Sequence, residues 1–337
     1  MSVMYLRGGT PLEGELTVHG AKNSVLPILA ACLLAREPVT LRNCPRLTDV
    51  TAALGILRRL GCRVEQEGQT IFVDPAGVSG CSISEKQMRA MRSSIIFLGP
   101  LLARMGEAHL TYPGGCELGP RPIDLHLSAI RALGCEMSED RGIHCQGRPR
   151  GGEIQLSLPS VGATENAILC AVGASGVTTI TNAAREPEIG DLQSFLNSLG
   201  ACVRGAGSST VTVEGGRPLS GGEYTVMGDR IVAATLLSAA ASAGGRVRLR
   251  GVDWRHLATV LSVFHQAGCR VESRLEYVEL ARDREALLKG APTIRTAPYP
   301  GFPTDAQAPV MAALAASQGC TLFVETMFDS RYRHVPE

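Results

Sequence analysis

Apolar and polar positions recur along this chain in a fixed order. An apolar helix rich in small residues comes first, then a β-rich stretch, then an amphipathic helix that ends in Leu-Gly or a near relative and runs into a strand. The endings are LRRLGCRVE around Gly61, IRALGCEMS around Gly134, LNSLGACVR around Gly200 and FHQAGCRVE around Gly268. These glycines lie 73, 66 and 68 residues apart. The spacing suits a βαβ-rich unit whose helix stops at a glycine in the left-handed region, where a residue without Cβ meets no steric cost. Four such units are complete. A fifth opens at residues 308–319 (APVMAALAASQG), continues as CTLFVET and reaches DSRYRHVPE, the last residues of the sequence. The pattern predicts an α/β fold of repeated units, six being the natural closed count, with the last repeat missing. A chain that stops inside a unit is expected to be truncated, poorly stable and nearly inactive by itself.

Composition narrows the class. At 337 residues, 45% apolar and 19% charged, two domains are the better expectation. Lys plus Arg number 33 against 32 Asp plus Glu, so no long-range field favours nucleic acid or an anionic membrane, and an anionic ligand needs a local cluster of cations. The start MSVMYLRGGTPLEGEL lacks the features of a signal peptide and no apolar run reaches the roughly 18 residues of a spanning helix, so a cytoplasmic protein is expected. Eleven cysteines occur without CxxC or a Cys/His cluster, and no metal is expected. Cys62, Cys135 and Cys269 follow the repeated glycine and Cys202 lies one residue further on, which reads as strand-start packing.

Cys116 breaks that pattern. It sits in TYPGGCELGPRPIDLH, a stretch about three residues longer than its counterparts, with Gly114, Gly115, Gly119, Pro113, Pro120 and Pro122 around one thiol and Arg121. A mobile lid with a reactive, cation-flanked thiol is one reading, and an incidental exposed thiol the other. In EGELTVHGAKNSVLPILAACLLA a strand passes through Gly20 into a helix, placing Lys22 and Asn23 at a helix start that favours anions, or leaving a solvated lysine. LPSVGATENAILCAV offers Ser160 as an N-cap, with Val161 and Gly162 leaving backbone N–H groups for a phosphate. A helix over 86–104 would put Arg89 and Arg92 one turn apart, though a surface salt bridge fits Arg89 equally well. Asp305 stands before an apolar helix as a functional carboxylate or an N-cap, and Arg331, Arg333 and His334 form a basic cluster near the end.

HGAKNSVLPILAA, MRSSIIFLGPLLAR, PGGCELGPRPIDLH, PSVGATENAIL, NAAREPEIGDL, PGFPTDAQAP and SRYRHVPE, in this order and at this spacing, resemble successive signatures of the UDP-N-acetylglucosamine enolpyruvyl transferase family, from near residue 20 to the last residue. The resemblance implies a two-domain inside-out α/β barrel with domains at 22–229 and at 1–21 plus 230–337 and the active site in the cleft. It implies transfer of an enolpyruvyl group from phosphoenolpyruvate to the 3-hydroxyl of UDP-N-acetylglucosamine, by addition and elimination with no cofactor and no metal, early in peptidoglycan synthesis. Cys116 then matches the lid cysteine that donates a proton and is alkylated by fosfomycin, and Asp305 the carboxylate that deprotonates the sugar hydroxyl. Lys22, Asn23, Arg92, Arg121 and Arg331 match the phosphoenolpyruvate contacts. Asn23, Arg121, Pro122, Ile123, Asp124, Leu125, Ser160, Val161, Gly162, Asp305 and Met327 match contacts to the UDP-sugar. Ile96 and Leu158 depart from a tryptophan and a lysine carried by some members, which puts the nucleotide contacts in doubt but not the chemistry. The shikimate-phosphate enolpyruvyl transferase and an inactive binding homologue stand as alternatives.

Overall fold

The computed structural model describes residues 5, 8–113, 123–140 and 142–336. The chain divides into two compact units, one of residues 20–227 and one of residues 1–19 with 228–337. Ten α-helices are defined among the described residues: α1 Lys22–Ala31, α2 Thr48–Leu60, α3 Glu85–Ala90, α4 Leu98–Met105, α5 Asp124–Ala132, α6 Val161–Val172, α7 Pro187–Ser198, α8 Arg230–Ala243, α9 Ala258–Gln266 and α10 Thr304–Leu314. No helix among them is long and apolar enough to cross a membrane.

In unit 20–227 the two sequence patterns become two kinds of helix. A helix apolar on all sides must be buried on all sides. Residues 24–31 of α1 and 163–172 of α6 are buried without a break. Amphipathic α2 buries only one face, Val50, Ala53, Leu54, Ile56, Leu57 and Leu60. Three sheets share one plan. Val39–Arg42 pairs in parallel with Gly222–Thr225 and antiparallel with Thr70–Asp74, which pairs with Arg63–Glu67. Val177–Thr181 likewise has Glu153–Gln155 in parallel and Thr210–Glu214, then Cys202–Arg204, antiparallel. The middle sheet joins Glu107–Leu110, Ile143–Gln146 and Glu136–Ser138, with a parallel bridge from Ser82 to His109. The strand that ends this unit, Gly222–Thr225, thus completes the sheet that begins it.

The other unit repeats the plan with Leu12–Thr17 parallel to Gly245–Arg250, followed by antiparallel Tyr277–Arg282 and Arg270–Ser273. A short parallel pair, Ile294–Arg295 with Phe323–Val324, follows. Here α8 packs on α10, around a separate core that includes Leu237, Leu261, Phe264 and Val310.

The repeated glycines end their helices with φ of 107° at Gly61, 79° at Gly134, 104° at Gly200 and 98° at Gly268. Cys62, Cys135 and Cys269 behind them are buried and Cys202 is half-buried. Burial pushes the Cys62 thiol up to about 12 and the Cys269 thiol up to about 11, so neither forms a thiolate at neutral pH.

The single helix expected over 86–104 is not continuous. It ends at Ala90, Met91 is extended (φ −141°, ψ 127°), and residues 94–97 form a 3₁₀ turn before α4. Pro100 supplies a reason: it has no N–H for the Ile96 carbonyl, and a proline is tolerated only in a first turn, where a start at Leu98 places it. Ser94 Oγ donates to the Met88 carbonyl at 2.8 Å across the break.

Candidate active site

Cys116, Arg121 and Pro122, with the rest of the glycine-rich stretch at 114–122, lie outside the described residues. The remaining candidates fall into two groups, one in each unit.

In unit 20–227, Gly20 sets the entry to α1. A Cβ there would sit 1.8 Å from the Asn43 carbonyl oxygen, so only glycine allows the strand end to lie on that turn. Asn43 itself holds φ of 59°, a region asparagine tolerates, and donates from Nδ2 to the Val226 carbonyl at 3.0 Å. Lys22 is the first residue of α1, half exposed, with Nζ 3.4 Å from Asp49 Oδ2, and Asn23 beside it is half-buried. Ser24 donates to Asp191 Oδ2, while Tyr224 donates to Asp191 Oδ1 at 2.7 Å and the Met227 N–H reaches Oδ2 at 3.3 Å. Asp191 therefore anchors the start of α1 to α7, and burial raises its carboxyl above the usual range despite these donors.

Arg89 and Arg92 do not share a helix face. Arg89 pairs with Glu85 at 2.7 Å on the surface, whereas Arg92 lies half-buried in the break between α3 and α4 and has no hydrogen-bond or ion-pair partner among the described residues. A partly desolvated guanidinium in that state favours an anion.

The segments 123–125 and 160–162 meet through His126 and Asn166, neither of which local sequence pattern singles out. Ser160 caps α6, accepting from the Ala163 N–H at 3.4 Å. Gly162 lies on the imidazole of His126, where a Cβ would come within 3.0 Å of Cε1. His126 is buried, and desolvation pulls its pKa down to about 4, so the ring is neutral at pH 7. Asn166 Nδ2 contacts His126 Nδ1 at 3.0 Å and donates to the Ile95 carbonyl at 2.9 Å, while its Oδ1 accepts from Gly99 N–H at 2.6 Å. One amide thus ties α6 to α5 and closes the break before α4. Ile123 and Leu125 are half-buried and Asp124 is exposed at the first turn of α5.

In the other unit, Asp305 is not an N-cap. Pro303 takes the cap position and α10 starts at Thr304, which puts Asp305 in the first turn. The Arg331 guanidinium holds Asp305 Oδ1 and also reaches the Thr304 carbonyl from Nε at 3.3 Å. Arg331 is mostly buried, its side chain 16% exposed, while Asp305 is 40% exposed, and Asp305 Oδ2 has no hydrogen-bond partner among the described residues. Glu325, another residue that sequence pattern does not mark, fixes this corner: it accepts from Thr304 Oγ1 at 2.9 Å, the Met327 N–H at 2.8 Å and the Phe328 N–H at 3.2 Å. Met327 is 36% exposed on that turn. His334 Nδ1 contacts the Arg331 carbonyl at 3.0 Å.

Known proteins share this architecture. The family model for EPSP synthase (3-phosphoshikimate 1-carboxyvinyltransferase) matches residues 6–337. UDP-N-acetylglucosamine 1-carboxyvinyltransferase 2 of Caldanaerobacter subterraneus subsp. tengcongensis is 45% identical over 339 residues, covering 100% of this chain and 81% of its own length. The UDP-N-acetylglucosamine 1-carboxyvinyltransferase of Coxiella burnetii is 44% identical over 341 residues, covering 100% and 78%. The chain belongs to the UDP-N-acetylglucosamine 1-carboxyvinyltransferase family. The enolpyruvyl transferase fold of that family is also seen in the crystal structure of NikO from Streptomyces tendae, which superposes with a TM-score of 0.84 at 22% identity over 98% of this chain and 78% of that one. EPSP synthase from Acinetobacter baumannii superposes less closely, with a TM-score of 0.69 at 20% identity over 94% and 74%. Both likenesses speak for the fold alone.

Proposed function

We propose that this chain transfers the enolpyruvyl group of phosphoenolpyruvate to the 3-hydroxyl of UDP-N-acetylglucosamine and releases inorganic phosphate, the first committed step toward peptidoglycan. The observation that carries the reading is Asp305: its carboxylate is fixed through Oδ1 by Arg331 in the first turn of α10 and keeps Oδ2 available as an acceptor. A base must be oriented without being used up, and a single clamped oxygen does that.

In the first step Asp305 takes the hydroxyl proton as the sugar oxygen bonds to C2 of phosphoenolpyruvate, and C3 receives a proton from Cys116. A tetrahedral ketal results. In the second step C3 gives a proton back to the Cys116 thiolate, the double bond reforms to C2 and the C2–O bond to phosphate breaks, the departing phosphate taking the proton held by Asp305. The phosphate and carboxylate of phosphoenolpyruvate are held by Lys22, Arg92, Arg121 and Arg331, with Asn23 beside them, through charge-assisted hydrogen bonds that replace water. Arg331 has five N–H donors and so can hold Asp305 and an anion together. The nucleotide and sugar contacts are Asn23, Arg121, Pro122, Ile123, Asp124, Leu125, Ser160, Val161, Gly162, Asp305 and Met327.

Phosphate release is the test. A full-length version mixed with phosphoenolpyruvate and UDP-N-acetylglucosamine is expected to liberate phosphate, and UDP-N-acetylglucosamine alone to raise its Tm. A Tm raised by shikimate 3-phosphate instead would assign the sister reaction. Binding of the sugar nucleotide to folded protein with no phosphate produced would leave only a binding homologue.

A further inference from the structure

We propose that Cys81, Glu107 and His109, with His144 behind His109, bind a divalent transition-metal ion of the Zn²⁺ class. The three ligand atoms offered by Cys81, Glu107 and His109 all lie within 4.8 Å of one another. In a tetrahedral zinc site with bonds of roughly 2.0–2.3 Å, neighbouring donors stand roughly 3.3–3.8 Å apart, so small side-chain rotations suffice.

The backbone assembles this set. Glu107 and His109 are two apart on one strand, which puts both on the same face of the sheet. Cys81 lies on the segment alongside, held by the His109 N–H to the Cys81 carbonyl at 2.8 Å and by the Ile83 N–H to the His109 carbonyl at 3.0 Å. His144 is the residue directly opposite His109 on the antiparallel neighbour.

Both ring nitrogens of His109 face polar partners. Its Nδ1 is 2.7 Å from His144 Nδ1 and its Nε2 is 2.6 Å from Glu107 Oε1. With a metal ion on Nε2, Nδ1–H is free to donate to His144 and Glu107 lies within reach of the same ion. The thiol of Cys81 completes the group, and sulfur with imidazole and carboxylate is a zinc-type donor set. His144 then acts as the outer partner that fixes the ring and its tautomer. Binding converts Cys81–SH and the ion into a metal–thiolate bond and a proton released to solvent. Cys81 is half-buried and the Glu107 side chain is 51% exposed, so the ion has a route in and water can fill the fourth position. The ion would join the Cys81 segment to the strand that runs on to Cys116 in the sequence.

Co²⁺ added to the apo protein is the probe. One equivalent is expected to give tetrahedral d–d bands and a sulfur-to-cobalt charge-transfer band. Cys81→Ser is expected to lose the charge-transfer band, and His144→Ala to weaken binding about 10–100-fold. An unchanged cobalt spectrum in Cys81→Ser and His109→Gln would overturn the proposal, because the ion would then sit elsewhere. Alkylation of the unmutated protein probes the same site independently: Zn²⁺ is expected to slow modification of Cys81 while leaving exposed Cys320 unaffected, with the modified residues located by mass spectrometry. Equal labelling of Cys81 with and without Zn²⁺ overturns the assignment.

Discussion

The two units open their buried helices with one backbone device and finish it differently. At the start of α1 a Cβ on Gly20 would meet the Asn43 carbonyl oxygen at 1.8 Å, and ahead of α8 a Cβ on Gly228 would meet the Gly251 carbonyl oxygen at 1.8 Å. Asn43 and Gly251 both hold positive φ, 59° and 74°. Past the glycine the two diverge. Asp229 caps α8, accepting from the Ile231 and Val232 N–H groups at 2.8 and 3.1 Å, whereas no side chain caps α1, whose first residue is Lys22. A helix start neutralised by its own carboxylate has no call on an anion. One that carries a cation instead adds to the dipole and favours an anionic ligand. The aspartates of unit 1–19 plus 228–337 differ in the same way: Asp229 is used by the backbone, Asp305 in the first turn of α10 is not.

The largest test of this contrast is therefore Asp305→Asn. The amide keeps size and the contact to Arg331 but cannot accept a proton from a hydroxyl. We expect kcat to fall about 10²–10⁴-fold, some 3–5 kcal/mol of barrier, with little change in Tm. Phosphate release and thermal unfolding read both. Loss of stability with full activity would reverse the roles assigned to Asp305 and Asp229.

Next in size are Gly20→Ala and Gly228→Ala. Each forces a methyl into a backbone carbonyl, and each is expected to lower stability by about 3 kcal/mol in urea unfolding, since overpacking against backbone cannot be relieved by a rotamer. Tolerance at one glycine and not the other would show that the shared geometry is not a shared constraint.

How much of this could be read from sequence depends on the range of the interaction. Gly61, Gly134, Gly200 and Gly268 announce themselves because a helix that ends in the left-handed region needs the glycine at that position and nothing else. The α/β repeat plan follows from the same periodicity, and the Ser160 cap from its place before α6. The break at 91–97 escapes detection because helical periodicity outvotes Pro100, although a proline three residues into a helix marks where the helix must begin. His126 and Asn166 are 40 residues apart, and Cys81, Glu107, His109 and His144 come from two paired strands and the segment bridged to one of them. No local spacing encodes such meetings, which is why a scan for Cys/His clusters finds no metal site. Asp305 fails as an N-cap for a local reason: Pro303 already holds that position.

A smaller effect separates α6 from α8 by pH. Every buried position of α8 from Ala233 to Ala241 is apolar or Ser238, but α6 buries Glu165, with Oε1 lacking any partner among the described residues. Desolvation, then Glu188 and Glu186, hold its carboxyl well above the usual range, so the folded chain keeps it neutral where the unfolded chain ionises it near 4.5. Between that value and the folded pKa the native state carries the extra proton, and stability falls as pH rises, by at most about 1.4 kcal/mol per pH unit. Glu165→Gln removes this dependence. The gap between wild type and variant in urea unfolding is expected to move in the variant's favour from pH 5.5 to 7.5, and parallel curves would place an ionised Glu165 in the folded protein.

Asp229→Ala gives the smallest and most discriminating effect. Removing the carboxylate leaves the Ile231 and Val232 N–H groups without their acceptor, which costs about 1 kcal/mol. The same change opens the start of α8 in the way that α1 is already open. If an uncapped start is enough to recruit an anion, added phosphate should restore the lost Tm, because Arg230 follows the vacated cap as Lys22 follows Ala21. We expect no such recovery. Arg230 is buried at 7% exposure with its guanidinium 6.0 Å from the Tyr299 ring centroid, while Lys22 is half exposed with Nζ 3.4 Å from Asp49 Oδ2. Rescue of Asp229→Ala by phosphate would show that the cap alone separates the two helix starts. Failure of rescue with a drop of about 1 kcal/mol in urea unfolding would assign the difference to where each cation is held.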